Sequence, residues 1–197
     1  MRDFSKYTIE EHLHRYACWT AARAASTSRF SNDEVAGFLL SCNLRENLEE
    51  LRTKSIVTHE IYREWFLTQV NSLRSCLIGY KNVKNPDIHR VKEFGIAAKM
   101  VSIYIKTVEV MPSKGISPIS MVAFPPIDSI LLKKLQSEKE IDILNTAWSG
   151  MGEKEFMEVI EKLKNIMGGQ PFWKLEYFWN LNKKGNVEIS NLQGGFG

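Results

Sequence analysis

From Ile61 to Leu77 the residues Ile61, Tyr62, Trp65, Phe66, Gln69, Val70, Leu73 and Leu77 recur at helical spacing. That run keeps a 3.6-residue period for more than four turns, a pattern that a long helix with one buried face satisfies and a strand does not. It is the natural central core helix, and Gly79 is placed to end it.

The same period organises most of the chain. Thr8 can cap a first helix with Glu10 and Glu11 in its opening turn, where the dipole favours acids. Leu13, Tyr16, Ala17, Thr20, Ala21 and Ala24 fall on its inner face, and His12, Arg15, Trp19 and Arg23 form a basic and aromatic line on the other side. After a polar loop at Ser26 to Arg29, Ser31-Asn32-Asp33-Glu34 supplies caps for a second helix through Val35, Phe38, Leu39 and Cys42. A charged third segment from Leu44 to about Lys54 belongs on the surface. Pro86 marks a turn into a short helix over Ile88 to Val91, which Gly95 breaks.

Ile96 to about Val108 is apolar on most sides, with Lys99, Ser102 and Lys106 on one face, so the spacing predicts a helix buried except along that strip. Pro112, Gly115 and Pro118 make an irregular connection of the length that is often functional or mobile, and Pro125-Pro126 stops it. Asp128 then caps a helix through Ile130, Leu131, Leu132 and Leu135. A further amphipathic helix starts near Glu153, turns Phe156, Val159, Ile160, Leu163 and Met167 inward, and ends at Gly168-Gly169. The aromatic run from Phe172 to Trp179 reads as a final helix packed back on the rest. Lys183-Lys184-Gly185-Asn186 with Val187-Glu188-Ile189 allows a small hairpin, and residues 190–197 read as a frayed tail. The expectation is one all-α domain over residues 1–197, an orthogonal arrangement of about eight helices.

Composition narrows the function classes. Lys and Arg number 26 against 23 Asp and Glu, for a net charge of +3, which permits nucleic-acid binding without demanding it. Cys18, Cys42 and Cys76 are odd in number and widely spaced with no C-x-x-C pair, so neither a disulfide framework nor a structural zinc site is indicated and a reducing cytoplasm is expected. His12 and His14 are two residues apart and cannot share a helical face, which argues against a helical metal pair. No secretory signal or membrane-spanning run is expected, and no motif asks for a cofactor.

The segment with specific chemistry runs from Phe94 to Leu135. A glycine turn from Gly95 to Lys99 leads into an apolar helix, and Pro126-Ile127-Asp128 opens another, so a lysine and an aspartate each stand near a helix start. Here the chain resembles the helix-hairpin-helix DNA glycosylases, in particular the 8-oxoguanine glycosylase branch. Glu93-Phe94-Gly95-Ile96-Ala97-Ala98-Lys99 stands for the family's Leu-Pro-Gly-Val-Gly-x-Lys hairpin, and Pro126-Ile127-Asp128 for its Pro-Val-Asp segment. The resemblance implies a glycosylase-like core and DNA as partner. It implies Lys99 as the nucleophile that attacks the sugar C1′ and forms a Schiff base, and Asp128 as stabiliser of the cationic sugar or proton carrier. Gly95 and Ala97 would present hairpin amides to a backbone phosphate, and the enzyme would flip the damaged nucleotide from the duplex.

Two other readings stand beside it. The all-α HEPN ribonucleases use an arginine followed closely by a histidine, and Arg52 with His59 lies at the outer limit of that spacing. A binding module without chemistry would use the Arg15, Trp19 and Arg23 stripe or the Trp173 to Trp179 cluster.

Overall fold

The structure is a computed structural model that describes residues 7–25, 32–84, 94–139 and 147–178. Among those residues there is no strand: they form eight α-helices together with one π turn and two 3₁₀ segments, an all-α fold. Several expectations lie outside the described residues: the loop at Ser26 to Arg29, the Ser31 cap, the Pro86 turn with its helix over Ile88 to Val91, Glu93, Trp179, the hairpin from Lys183 to Ile189 and the tail.

Helix α1 (Ile9–Ala25) begins as predicted, where the Thr8 hydroxyl accepts a hydrogen bond from the Glu11 N–H at 3.2 Å. Its buried side is Ala17, Cys18, Ala21, Ala22 and Ala25, whereas Tyr16 and Ala24, expected inward, are exposed. Small side chains set the reason: α1 packs on α5 and α2, and an alanine and cysteine stripe permits a closer helix approach than a tyrosine would. Helix α2 (Asn32–Ser41) buries Val35 and Leu39, and α3 (Leu44–Arg52) is amphipathic, with Leu44, Leu48 and Leu51 inward.

Helix α4 (His59–Lys84) buries Tyr62, Phe66, Gln69, Val70, Leu73 and Leu77 on the predicted face. It does not stop at Gly79 but continues to Lys84. Gly79 has open space around its Cα and is not among the glycines with positive φ, so nothing there drives the chain out of the helix.

The centre of the fold is α5 (Phe94–Ile105) rather than α4. All of its residues are buried, and it packs against α1, α4, α8 and the turn at Trp148. Of the polar strip predicted to be solvated, Lys99 and Ser102 are covered as well, at 8% and 1% exposed, while Lys106, beyond the end of α5, stays partly exposed. Gly95 sits in the first turn of α5 and does not interrupt it, so Gly95 to Lys99 is helix and not a turn. After Ile105 the helix widens into a π turn, Lys106–Val110.

The connection that follows is largely irregular, as expected, but carries one short helix. Ser117 caps the short helix α6 (Pro118–Val122) by accepting from the Ser120 N–H, and its hydroxyl donates to Glu109 Oε1 at 2.6 Å. Helix α7 (Ser129–Lys139) starts after Asp128, whose Oδ1 accepts from the N–H groups of Ile130 and Leu131 at 3.0 and 2.9 Å, the predicted cap. A 3₁₀ turn (Trp148–Gly150) precedes α8 (Glu153–Met167), which closes at a left-handed Gly168 as the sequence suggests. The aromatic run is a 3₁₀ helix (Phe172–Phe178) in which Phe172 and Leu175 are buried and Tyr177 is exposed.

Phe66, Phe94, Phe124, Phe156 and Phe172 form one aromatic cluster with Tyr62, the rings of Phe66 and Phe156 stacking 5.7 Å apart. Phe124 is the member that matters for the site, because it pins the chain immediately before Pro125-Pro126 and Asp128.

Gly95 permits one close approach. A Cβ on it would lie 2.0 Å from the Trp148 carbonyl oxygen, and its N–H donates to the Met151 carbonyl at 3.1 Å. Gly95→Ala must push backbone against backbone, and thermal or denaturant unfolding should show a loss of roughly 1–3 kcal/mol. Gly79→Ala, in open space within α4, should instead be neutral or stabilise by up to about 1 kcal/mol.

Candidate functional site

Lys99 lies one turn beyond Gly95 on α5 and so faces the same side, toward the Trp148 turn and the start of α7. Its Nζ is 3.5 Å from Asp128 Oδ2 and 4.5 Å from the centre of the Trp148 ring. Both members of the ion pair are largely buried, with side chains 10% and 14% exposed. Asp128 divides its work: Oδ1 caps α7 while Oδ2 meets the lysine, so the helix cap fixes the carboxylate that faces the amine.

Burial pushes the Lys99 amine below the ordinary lysine range, because desolvation disfavours the ammonium ion. Asp128 and, more weakly, Glu176 act in the opposite direction. The Trp148 ring face also favours the cation. Desolvation wins, which leaves a lysine closer to nucleophilic competence than one on the surface.

The pair opens on a cavity of about 420 Å³. Tyr16, Thr20 and Ala24 of α1 wall one side, Pro125 and Pro126 another, and Ile103 with Lys106 the floor of α5 and its π turn. Lys106 and Glu176 form an ion pair of 2.7 Å at its edge. Thr20 Oγ1 is buried there with no hydrogen-bond partner among the described residues.

Lys99 and Asp128, 29 positions apart in sequence, are thus brought together in one cavity. Gly95 and Ala97 are placed otherwise than a phosphate-gripping hairpin requires. Both are buried, and the Gly95 N–H is already taken by Met151. The α1 stripe is on the surface: Arg15 pairs with Glu11 and lies 5.2 Å over the Tyr7 ring, and Arg23 lies 4.8 Å over Trp19. Tyr16, 6.2 Å from Trp19 between ring centres, joins that stripe to the cavity wall.

Arg52 and His59 are committed to different neighbours. Arg52 donates to Glu109 and to the Val108 carbonyl, whereas the His59 ring meets the edge of Phe172 at 5.9 Å. They stand at the end of α3 and the start of α4, on separate helices. Burial pushes the Cys18 and Cys42 thiols up to about 12, which keeps these two weak as nucleophiles. Among the described residues no group of His, Cys, Asp and Glu could hold a metal, and no helix is long and apolar enough to cross a membrane.

Sequence reasoning missed Trp148 and Glu176 as neighbours of the lysine. Trp148 sits in a three-residue 3₁₀ turn with no periodicity to mark it. The available signal was Gly95: a glycine on the lysine's own helical face, four residues earlier, marks where another backbone crosses. No family model matches the chain, no curated protein matches its sequence, and no solved structure matches its fold.

Proposed function

We propose that the protein is a DNA glycosylase with associated lyase chemistry, in which Lys99 is the nucleophile and Asp128 the charge-stabilising and proton-carrying carboxylate. The observation that carries this reading is the 3.5 Å approach of Lys99 Nζ to Asp128 Oδ2, both largely buried at one cavity. An ordinary surface ion pair would leave both groups solvated, and a purely structural lysine needs no cavity in front of it.

In the proposed reaction the neutral Lys99 amine attacks C1′ of an extruded nucleotide, and the glycosidic C–N bond breaks with its electron pair leaving on the base. Asp128 Oδ2 faces the positive charge that develops on the sugar and can take a proton from Nζ as the new C–N bond forms. Opening of the sugar ring then gives the Schiff base. Loss of a C2′ proton expels the 3′ phosphate oxygen and breaks the strand.

Because Gly95 and Ala97 are buried, DNA backbone contact falls to the α1 stripe of Arg15, Trp19 and Arg23, which adjoins the cavity through Tyr16. Two guanidinium groups, each lying over an aromatic ring, suit phosphate pairing and base stacking on a distorted duplex.

Borohydride should trap a covalent adduct between the wild-type protein and a duplex carrying an abasic site, and Lys99→Gln should abolish it while keeping a cooperative melt. A Lys99→Gln variant that still forms the adduct would falsify the assignment of the nucleophile. Absence of both adduct and DNA affinity in the wild type would sink the glycosylase reading.

The pH dependence has a definite sign. Adduct formation should rise with pH along a limb below the ordinary lysine value of 10.5, since only the neutral amine attacks. Asp128 holds the proton on Lys99, so Asp128→Asn should move that limb to lower pH while slowing the reaction about 10²–10⁴-fold. Single-turnover rates across pH read both effects; a limb that moves up in Asp128→Asn contradicts the pairing.

A further inference from the structure

Cys18, Cys42 and Cys76 are widely spaced in the sequence, yet the fold gathers them. Cys42 sits in the two-residue turn between α2 and α3, and its Sγ lies 3.8 Å from Sγ of Cys76 on α4, 34 positions along the chain. Cys18 of α1 is close behind: after burial, the charge of Cys42 is the next cause that pushes the Cys18 thiol up. Placed two residues after Tyr16 and two before Thr20, Cys18 faces away from the Lys99 cavity that those residues wall. The cluster thus joins α1, the α2–α3 turn and α4 behind that wall.

The three thiols are not equivalent. Cys18 is fully buried and Cys42 is 7% exposed, whereas Cys76 is half-buried and within reach of a small solute. Burial first, and Cys76 after it, hold Cys42 in its thiol form, while a hydrogen bond from Ser72 acts the other way. Ser72 stands one turn before Cys76 on the same face of α4, so the Cys42 sulfur meets a hydroxyl and a second sulfur together. The part of the pressure on Cys42 that comes from the charge of Cys76 vanishes once Cys76 is a neutral sulfenic acid. The geometry also leaves room to close. A disulfide needs about 2.05 Å, so the sulfurs must approach by about 1.75 Å more. Cys42 belongs to a turn and not a helix, and its N–H reaches the Leu39 carbonyl only at 3.4 Å, so the turn can supply that shift.

We propose that Cys76 and Cys42 form a dithiol that small hydroperoxides oxidise, Cys76 being the residue attacked first and Cys42 the one that resolves it. The Cys76 thiolate attacks one oxygen of hydrogen peroxide, the O–O bond breaks with its electron pair leaving as hydroxide, and Cys76 becomes a sulfenic acid. Cys42 then gives up its proton and attacks the Cys76 sulfur, the S–O bond breaks, and the departing hydroxide takes that proton as water. Two thiols and one peroxide become one disulfide and two waters. Contact offsets the weakness of Cys42 as a nucleophile, because a partner already at the sulfur acts at an effective concentration that no free thiol attains. The bond ties the α2–α3 turn to α4, and α2 packs on α1, so oxidation stiffens the support of the cavity wall. None of this depends on the chemistry of Lys99.

The test treats the full-length, fully reduced protein with a small excess of hydrogen peroxide, alkylates the remaining thiols after unfolding, and maps the products by mass spectrometry. The wild type should carry one intramolecular Cys42–Cys76 disulfide, weigh about 2 Da less for the two hydrogens lost, keep Cys18 alkylatable and revert with dithiothreitol. In Cys42→Ser, dimedone should label Cys76 about tenfold more than in the wild type, because the sulfenic acid is no longer consumed. Cys76→Ser should form no disulfide, and Cys18→Ser should form it as the wild type does. A wild type that keeps all three thiols, that links Cys18, or that cross-links only between molecules overturns the proposal. Equal dimedone labelling of Cys76 in the wild type and in Cys42→Ser overturns it too, since the two sulfurs then only pack. Melting curves accompany each variant, and the wild-type disulfide map decides alone if the serine variants do not fold.

Discussion

A lysine placed on a helix with no solvated face must find its partners in the surrounding chain. Lys99 stands on α5, where every residue is buried, and an unpaired ammonium there would be strongly disfavoured. Asp128 meets the charge, Trp148 covers it and Glu176 adds a more distant negative charge, each delivered by a different element. The demands run backward through the structure. Asp128 is in position because Phe124 is locked into the aromatic cluster and because its other oxygen caps α7, while Trp148 is in position because Gly95 has no side chain.

A second buried charge sits further along the same continuous helix and organises the remaining wall. Glu109 in the π turn is 6% exposed and accepts from Arg52 at 2.6 Å and from Ser117 at 2.6 Å. Ser120 then links Ser117 to Ser113 through hydroxyl hydrogen bonds of 2.7 and 2.8 Å. The chain from Met111 to Val122 is thereby tied to α3 and to the π turn, which fixes Met111 and Gly115 at the walls of the Lys99 cavity and of a smaller one of about 240 Å³ beside it. A π turn shifts the helical register, so Lys106 and Glu109 need not follow the face set by Lys99 and Ser102.

Much of this was legible in the sequence where one physical rule acts alone. The periods of α4 and α8, the Thr8 and Asp128 caps and the stop at Gly168 each follow from local geometry, and all are present. The pairing of Lys99 with Asp128 was also anticipated, although Lys99 stands in the middle of α5 and not near its start. What failed depended on tertiary context. Local rules make Gly79 a stop and Gly95 to Lys99 a turn, yet Gly79 is tolerated in an open helix and Gly95 is demanded within α5 by a crossing backbone. The inner face of α1 was set to include Tyr16 and Ala24 and to omit Cys18, Ala22 and Ala25, because periodicity does not record how closely two helices approach. The polar strip of α5 looked solvated, because the residues that cover it come from distant elements with irregular sequence.

The failures of local reasoning are not scattered. Among the described residues four buried side-chain polar atoms lack a hydrogen-bond partner, and three of them, on Thr20, Ser102 and Trp173, belong to residues lining the two adjoining cavities. The fourth belongs to Tyr62 in the aromatic cluster. The same small region holds the desolvated lysine and Gly115 under Trp173, and adjoins Gly95 under Trp148. A sequence selected for stability alone would replace such groups with apolar residues of similar size, as buried polar groups rarely contribute more than their desolvation costs. Their concentration around two adjoining cavities stands against an otherwise consistently packed helical core, and it fits the proposed site. In the proposed reaction the amine has to be dry enough to lose its proton and close enough to a carboxylate to pass that proton on, and these needs oppose each other. The structure balances them by burying the lysine deeply while holding Asp128 in place through the α7 cap.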